Sequence, residues 1–181
     1  MHYTFKLLMF GDAAVGKTSL IHRYVTGSFK ESTHITIGVE FTVKQIVVDG
    51  EPVDLQIWDF GGEDRFRFIL PAYCIGAQGG IFMYDTTSPS SLNHMKDWME
   101  IIREKTSNLP VLVVGTKIDL EDCKAVDPEE AATVGKDFDA PDVIEVSSVT
   151  GQNVEITFET IARLMIDRVK QKNYACAPAQ V

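Results

Sequence analysis

The amino-acid sequence predicts an α/β fold: a doubly wound, mostly parallel six-stranded sheet with one antiparallel edge strand and helices on both faces. Four short segments are almost continuously apolar, as buried parallel strands are. Segments with helical periodicity lie between them. One further region alternates apolar and polar residues on both sides of Asp49-Gly50, which is typical of a β-hairpin and predicts the antiparallel edge.

The predicted elements follow one another without an internal linker or repeat. Strands are expected, in chain order, at residues 5–10, 39–43, 53–57, 80–84, 111–114 and 143–146. Helices are expected where apolar residues recur every three or four positions, around residues 20–25, 92–102 and 158–165. Ser88 and Asp127 each precede a proline, a combination that favours the first turn of a helix.

Length and composition are those of one globular domain. The 181 residues contain 26 acidic and only 17 basic residues, and this excess of acid argues against nucleic acid as a partner. The cysteines, Cys74, Cys123 and Cys176, lack the paired spacing of a zinc site and are expected to be reduced. No apolar run approaches the roughly 20 residues that span a bilayer. We expect a cytoplasmic monomer, with a nucleotide-binding domain at residues 1–172 and a short flexible tail at 173–181.

The segment after the first predicted strand matches the complete phosphate-loop pattern, from Gly11 to Thr18, and opens a predicted helix. Consecutive backbone N–H groups and the positive end of a helix attract anions. Lys17 is expected to bridge the terminal phosphates of a nucleotide, and the Thr18 hydroxyl to bind Mg²⁺. The predicted phosphate-binding residues are Asp12, Ala13, Ala14, Val15, Gly16, Lys17, Thr18 and Ser19.

Asp59 ends the strand that follows the hairpin and precedes Phe60-Gly61-Gly62. The Asp59 carboxylate is expected to hold Mg²⁺ through water, and the Gly62 N–H to reach a terminal phosphate. An aspartate at a strand end is often a simple turn residue, so this interpretation depends on the phosphate loop.

The segment Gly115-Thr116-Lys117-Ile118-Asp119 follows an apolar strand, where a loop that recognises a base is expected. Guanine presents two N–H donors on one edge and adenine lacks both, so the Asp119 carboxylate is expected to select guanine. Ser147-Ser148 follow the next strand, and their backbone could donate to the guanine oxygen, although any turn of small residues would look the same.

Taken in order, these motifs and the segment from Thr36 to Phe41 closely resemble the Ras-like small GTPases, and the Rab branch most of all. The resemblance extends from Phe5 to Val169. It implies a molecular switch that binds GTP and GDP with Mg²⁺ and hydrolyses GTP to GDP and phosphate. It also implies that Phe29 packs against the base. Thr36 would coordinate Mg²⁺ only while the third phosphate is present.

The resemblance further implies that effector, exchange-factor and activating proteins bind through the segments 30–41 and 60–74. An apolar cluster in the second segment either contacts partners or caps the core. The cluster consists of Phe66, Phe68, Ile69 and Leu70. The C-terminal residues show no prenylation motif, so we expect no direct lipid anchor, and recruitment to membranes would come through partners.

Some positions depart from the family pattern. Glu63 stands where the family usually has the glutamine that positions water, and a carboxylate adds negative charge beside an anionic transition state. We therefore expect slow hydrolysis, unless Glu63 is protonated or swung away, or Arg65 or a partner supplies the missing charge. The implied catalytic residues are Lys17, Thr36, Gly62 and Glu63.

Three further departures concern partners and the base. Ala13 would leave less room for an arginine finger from a partner. Thr116 and Val149 replace the commoner asparagine and lysine, and are expected to change base affinity while Asp119 keeps the specificity. Other readings stay open: a switch that binds GTP without hydrolysing it, an ATP-using phosphate-loop enzyme, and an interaction module whose nucleotide site is inactive.

Overall fold

Strands and helices alternate along the chain in a computed structural model that describes residues 1–30, 36–106, 108–140 and 142–175, apart from the side chains of Phe66, Tyr174 and Ala175. The strands are β1 (Tyr3–Phe10), β2 (Val39–Val48), β3 (Glu51–Phe60), β4 (Gly79–Asp85), β5 (Val111–Thr116) and β6 (Val143–Glu145). The helices are α1 (Lys17–Thr26), α2 (Leu70–Cys74), α3 (Pro89–Asn93), α4 (Met95–Lys105), α5 (Pro128–Lys136) and α6 (Val154–Ala175). Short 3₁₀ helices occupy Asp64–Ile69 and Glu121–Cys123.

The strands form one six-stranded sheet in the order β2-β3-β1-β4-β5-β6. β2 and β3 pair in antiparallel fashion around the Asp49-Gly50 turn, and the other neighbouring strands pair in parallel. β4 and β5 are buried at every position, which explains why their sequences are almost continuously apolar. The predicted fold class is confirmed.

Helices cover both faces of the sheet and create two cores. Leu7 and Leu8 are neighbours in β1 and point to opposite faces, yet both are fully buried. Leu7 belongs to the core that α1 and α6 close, whereas Leu8 belongs to the core that α2, α3, α4 and α5 close. The site can therefore lie only at an edge of the sheet or in its loops.

The helix predicted around residues 92–102 is divided in the structure. α3 ends at Asn93 and α4 begins at Met95, because His94 between them has ψ of 0°. Ser88 also differs from the prediction, since its hydroxyl lies 3.1 Å from that of Ser90 and does not cap α3.

The remaining expectations concern cysteines, membrane segments and the tail. Cys74 and Cys123 are free thiols, and Cys176 lies outside the described residues. No helix in the described part of the chain is long and apolar enough to cross a membrane. α6 covers the first three positions of the predicted tail, and residues 176–181 lie outside the described residues.

The parallel pairing determines where functional side chains collect. β1, β3, β4, β5 and β6 run in the same direction, so their carboxyl ends lie at one edge of the sheet. The phosphate loop, Asp59, the base motif and Ser147 follow or end four of these strands. In open α/β sheets this edge is where ligands bind.

The cap of α5 provides a test of local stability. The Asp127 side chain accepts a hydrogen bond from the Glu129 N–H at 2.8 Å. Asp127→Ala should lower the free energy of unfolding by about 1 kcal/mol, since it removes this cap. Ser88→Ala is the matched control and should cost less than about 0.5 kcal/mol, because Ser88 precedes a helix without capping it. Urea unfolding of both variants measures the difference, and equal losses would contradict the assignment.

Candidate functional site

The phosphate loop joins β1 to α1 and encloses its lysine. Lys17 Nζ donates to the carbonyl oxygens of Gly11 at 2.8 Å and Asp12 at 2.6 Å, and the residue is only 5% exposed. Gly16 precedes α1 with φ of 98°, a conformation that favours glycine. Ala13 and Ala14 are exposed on the loop. A buried ammonium beside the N-terminus of a helix is well suited to bind an anion.

Three side-chain oxygens meet next to this loop. The Thr18 hydroxyl lies 2.8 Å from the Thr36 hydroxyl and donates to Asp59 Oδ2 at 2.5 Å. Adjacent oxygens on an octahedral Mg²⁺, each at about 2.1 Å, lie about 3 Å apart, so the two threonines fit the same ion. Asp59 Oδ1 is buried without a hydrogen-bond partner among the described residues. This orphaned oxygen could accept from a water on the metal, so the residues present fit Mg²⁺.

Burial disfavours the charged forms of two side chains at this site, Asp59 and Lys17. Burial raises the pKa of Asp59 to about 6, although the Thr18 hydroxyl and the Lys17 ammonium act in the opposite direction. Burial lowers the pKa of Lys17 to about 8, against the attraction of Asp59 and Asp12. Each shift disfavours the charged form. A cation near Asp59 and an anion near Lys17 would favour both charged forms.

The carboxyl end of β3 lies directly against the phosphate loop. A Cβ on Gly62 would lie 2.2 Å from the Ala13 nitrogen and 2.5 Å from the Asp12 oxygen, so only glycine fits there. The neighbouring Gly61 N–H donates to the Gly38 carbonyl at 2.8 Å. Segment 60–74 is thus joined to the strand that follows Thr36. Residues 31–35 of the other predicted partner segment lie outside the described residues.

The base motif is tied to the phosphate loop by a buried hydrogen bond. The Thr116 hydroxyl, in a residue 3% exposed, donates to the Val15 carbonyl at 2.6 Å. Asp119 is exposed, and its Oδ1 accepts from the Ser147 hydroxyl at 2.5 Å. Because Ser147 follows β6 and Thr116 ends β5, the last two strands together position the Asp119 carboxylate.

A sequence model of the Ras family matches residues 6–167. The chain is 40% identical to Ras-related protein Rab-1 of Theileria parva, over 93% of this chain and 77% of the relative. It is 38% identical to Ras-related protein Rab-1D of Dictyostelium discoideum, over 99% of this chain and 88% of the relative. The chain belongs to the Ras family. The chain is also 36% identical to Ras-related protein Rab-8B of Bos taurus, over 94% of this chain and 82% of the relative. These relatives support the predicted Rab branch.

Membership of the Ras family identifies the chain as a small GTPase and supports guanine-nucleotide binding. The roles of individual site residues stay predictions. Phe29 is 40% exposed beyond Gly27, which ends α1, and Val149 is 48% exposed after β6. Ser148 is half-buried next to Ser147. Ser19 is half-buried in the first turn of α1.

Glu63, the residue predicted to replace the water-positioning glutamine of the family, lies beside the phosphate loop. Its carboxylate forms an ion pair with the Arg65 guanidinium, the cation that the sequence suggested as a source of compensating charge. A cleft of about 440 Å³ adjoins it. The cleft is lined by Asp12, Ala13, Gly62, Glu63, Asp64, Arg67, His94 and Asp97.

Lys117 has a partner that the sequence did not predict. Its ammonium lies 2.6 Å from Asp85 Oδ2, at the end of β4. Asp85 also accepts from the N–H and the hydroxyl of Thr87, at 2.8 Å and 2.7 Å. Burial alone would raise the pKa of Asp85, but these bonds and the Lys117 charge lower it below its usual value. The position of Asp85 at a strand end was the one signal in the sequence.

The Asp12 side chain has partners that the sequence did not predict. Its carbonyl faces Lys17, but its carboxylate turns away towards α4 and the 3₁₀ helix after β3. Trp98 Nε1 donates to Oδ1 at 2.9 Å, and His94 Nδ1 donates to Oδ2 at 2.6 Å. Arg67 Nη2 lies 3.5 Å from Oδ1. No local motif predicts these contacts, since their partners are far apart in sequence.

The raised pKa of Asp59 predicts how stability depends on pH in nucleotide-free, metal-free protein. A folded-state pKa near 6 lies above the unfolded value of 3.8, so protonation favours the fold and this contribution is lost as pH rises through about 6. Asp59→Asn removes the titration. As pH rises from 4 to 6, the free energy of unfolding of the variant should increase relative to that of the wild type, by up to about 3 kcal/mol.

Urea unfolding of both proteins in a chelator, across that pH range, measures the gain. Asp142→Asn is the control, because Asp142 is exposed next to β6. A difference between wild type and Asp59→Asn that does not change with pH would contradict the pKa assignment.

Proposed function

We propose that the chain is a Mg²⁺-dependent GTP/GDP switch that hydrolyses GTP slowly, with residues 1–172 as its nucleotide-binding domain. The observation that carries the proposal is the hydrogen bond from Thr116 to Val15. It joins the base motif to the phosphate loop, so that a single nucleotide can reach both the Asp119 carboxylate and the Lys17 ammonium. Two motifs that are distant in sequence thereby serve one ligand.

The site residues divide into three groups by the chemistry they would provide. Backbone N–H groups of residues 12–19 and the Lys17 ammonium would hold the phosphates, and the Gly62 N–H would reach the terminal one. Thr116, Lys117, Asp119, Ser147 and Ser148 would hold the base, with Phe29 and Val149 beside it. Thr18, Thr36 and Asp59 would hold Mg²⁺, which neutralises developing charge on the β- and γ-phosphates when bound.

The switch mechanism follows from which contacts need the third phosphate. The Thr36 hydroxyl lies beside Thr18, and Gly62 lies against the loop, so both segments meet where a terminal phosphate would sit. With the diphosphate, Thr36 and the Gly62 N–H would lose this ligand and their segments would be released. Partner proteins would distinguish the two states by these segments.

Exposed apolar residues support a partner surface on the same segments. Ile37 is 72% exposed, Phe41 51% and Phe68 80%. The rings of Phe41 and Tyr73 both pack on Trp58, with centroids 5.0 Å and 5.8 Å from that of Trp58. The predicted apolar cluster divides, since Phe68 is exposed whereas Leu70 is fully buried in the core. Effectors, exchange factors and activating proteins would bind this surface.

Slow hydrolysis rests on Glu63. An amide donates to phosphate while it accepts from the attacking water, whereas a carboxylate only accepts. The ion pair with Arg65 offsets part of the added negative charge, without supplying the missing donor at that position. The same observation favours a second candidate, a switch that binds GTP and hydrolyses almost none of it. An ATP-using enzyme is disfavoured by the Asp119 carboxylate, which lacks a partner edge on adenine.

The direct test is to denature the purified protein and identify the nucleotide released by chromatography and mass spectrometry. GDP or GTP in near-equal amount to protein is expected. ATP, or no nucleotide together with no binding of added GDP, would refute the proposal. Steady phosphate release above background separates the slow GTPase from the second candidate.

Asp119→Ala tests base recognition. The variant should lose at least about a thousand-fold in GDP affinity and most of its preference for GDP over ADP, because the carboxylate that pairs with the guanine edge is gone. Asp122→Ala is the control, since Asp122 is exposed in the neighbouring 3₁₀ helix. Competition of a fluorescent GDP by ADP measures both effects. An unchanged preference in Asp119→Ala would show that another group reads the base.

Glu63→Gln tests the catalytic position. The amide restores a donor towards phosphate and removes a negative charge, so single-turnover hydrolysis of bound GTP should accelerate about ten-fold or more. Glu100→Gln on α4 provides an exposed control for the same change of charge. No gain in Glu63→Gln, with GTP binding intact, would rule out Glu63 as the cause of slow hydrolysis.

A further inference from the structure

The Asp12 carboxylate is held by two donors from the region around α4. Trp98 is fully buried, and its indole N–H donates to Oδ1 at 2.9 Å. His94, the residue between α3 and α4, donates from its ring to Oδ2 at 2.6 Å. Both carboxylate oxygens therefore have a donor. Asp12 is in this way anchored to a part of the molecule outside the nucleotide site.

The third contact of the Asp12 carboxylate is with Arg67, in the second of the two predicted partner segments, residues 60–74. Arg67 lies in the 3₁₀ helix Asp64–Ile69, with Nη2 2.9 Å from Asp64 Oδ1 and 3.5 Å from Asp12 Oδ1. Its guanidinium carbon lies 4.7 Å from the centre of a Trp98 ring, and its side chain is 22% exposed. A guanidinium that is stacked, paired and mostly shielded from water is held more firmly than one in an exposed ion pair.

Arg67 lies a few residues after Gly62 and Glu63 in the chain. The 3₁₀ helix begins directly after Glu63, and Gly62 has no room for a Cβ against the backbone of Asp12 and Ala13. Asp12 thus meets the second segment twice, through its backbone at Gly62 and through its carboxylate at Arg67. In the same structure the Thr36 hydroxyl lies beside Thr18, the arrangement that the proposed function assigns to bound GTP.

We infer that Asp12 and Arg67 are positioning residues that favour the GTP-bound arrangement: the Asp12 carboxylate, fixed by Trp98 and His94, holds Arg67 and thereby keeps Gly62 and Glu63 against the phosphate loop. The inference rests on the proposed function, since it needs a protein that binds both GDP and GTP. Neither side chain needs to touch the phosphates. Their contribution is to the preference between the two nucleotides.

The test measures that preference in the full chain. The affinities of Arg67→Met for GDP and for a non-hydrolysable GTP analogue are compared with Mg²⁺ present, by displacement of a fluorescent nucleotide. We expect the affinity for the analogue to fall about five-fold or more, as is usual for coupling between sites, and the affinity for GDP to change less than about two-fold. Arg103→Met is the matched control, because Arg103 stacks on Phe138 at 5.5 Å, away from the cleft.

Two readouts separate positioning from a general loss of structure. Asp12→Asn should shift the ratio of affinities in the same direction as Arg67→Met, and the double variant should give the same ratio as Arg67→Met alone, because Arg67→Met already removes the contact through which the Asp12 carboxylate acts. In a Trp58→Phe background Trp98 is the sole tryptophan, and its emission should differ between the GDP and analogue complexes. That difference should shrink in Arg67→Met and persist in Arg103→Met.

An equal loss of affinity for both nucleotides in Arg67→Met would overturn the inference, as would an unchanged ratio or additive losses in the double variant. These results would leave the proposed function standing. A wild-type chain that binds neither GDP nor the analogue would instead overturn the proposed function and the inference together.

Discussion

The hydrogen bond between Thr116 and the Val15 carbonyl is the contact on which the geometry of this site depends. It spans 101 positions of sequence and is buried, and the same hydroxyl also lies 3.0 Å from the Tyr84 carbonyl oxygen in β4. Loss of such a bond leaves a buried carbonyl unpaired, at a cost of about 1–3 kcal/mol. The parallel sheet brings the carboxyl ends of β1 and β5 to the same side of the molecule. The hydrogen bond then joins the loop after β1 to the end of β5. The loops that would hold the base and the phosphates are thereby joined directly.

In the phosphate region, the charged forms of two buried side chains are disfavoured in the protein alone. Lys17 and Asp59 are both buried, and burial shifts each pKa towards the neutral form. A protein in this condition would gain stability from a ligand that brings phosphate and a divalent cation, by an amount that grows with the logarithm of the ratio of ligand concentration to Kd. Nucleotide and fold are thus linked in one equilibrium, and the nucleotide-free chain is expected to be its least stable form.

The sheet and the chemical motifs could be predicted from sequence because their signals are local. Apolar runs predict β4 and β5, the Asp49-Gly50 turn predicts the hairpin, and the phosphate loop needs only consecutive residues. The break at His94 could not be predicted, since the apolar stripe continues across it. The hydrogen bond between the Asp12 carboxylate and Trp98 could not be predicted from the sequence either, because it depends on the packing of α4 against β1. Periodicity indicates which face is buried, whereas long-range side-chain contacts arise only in the assembled fold.

The single hydrogen bond from Gly61 to Gly38 has a consequence for how the molecule changes state. It connects the backbones of the two segments that would surround a terminal phosphate, independently of any ligand. Retreat of either strand end breaks this bond and leaves the other without its neighbour. A partner that displaced one region would therefore also disturb the other, because the two share this bond.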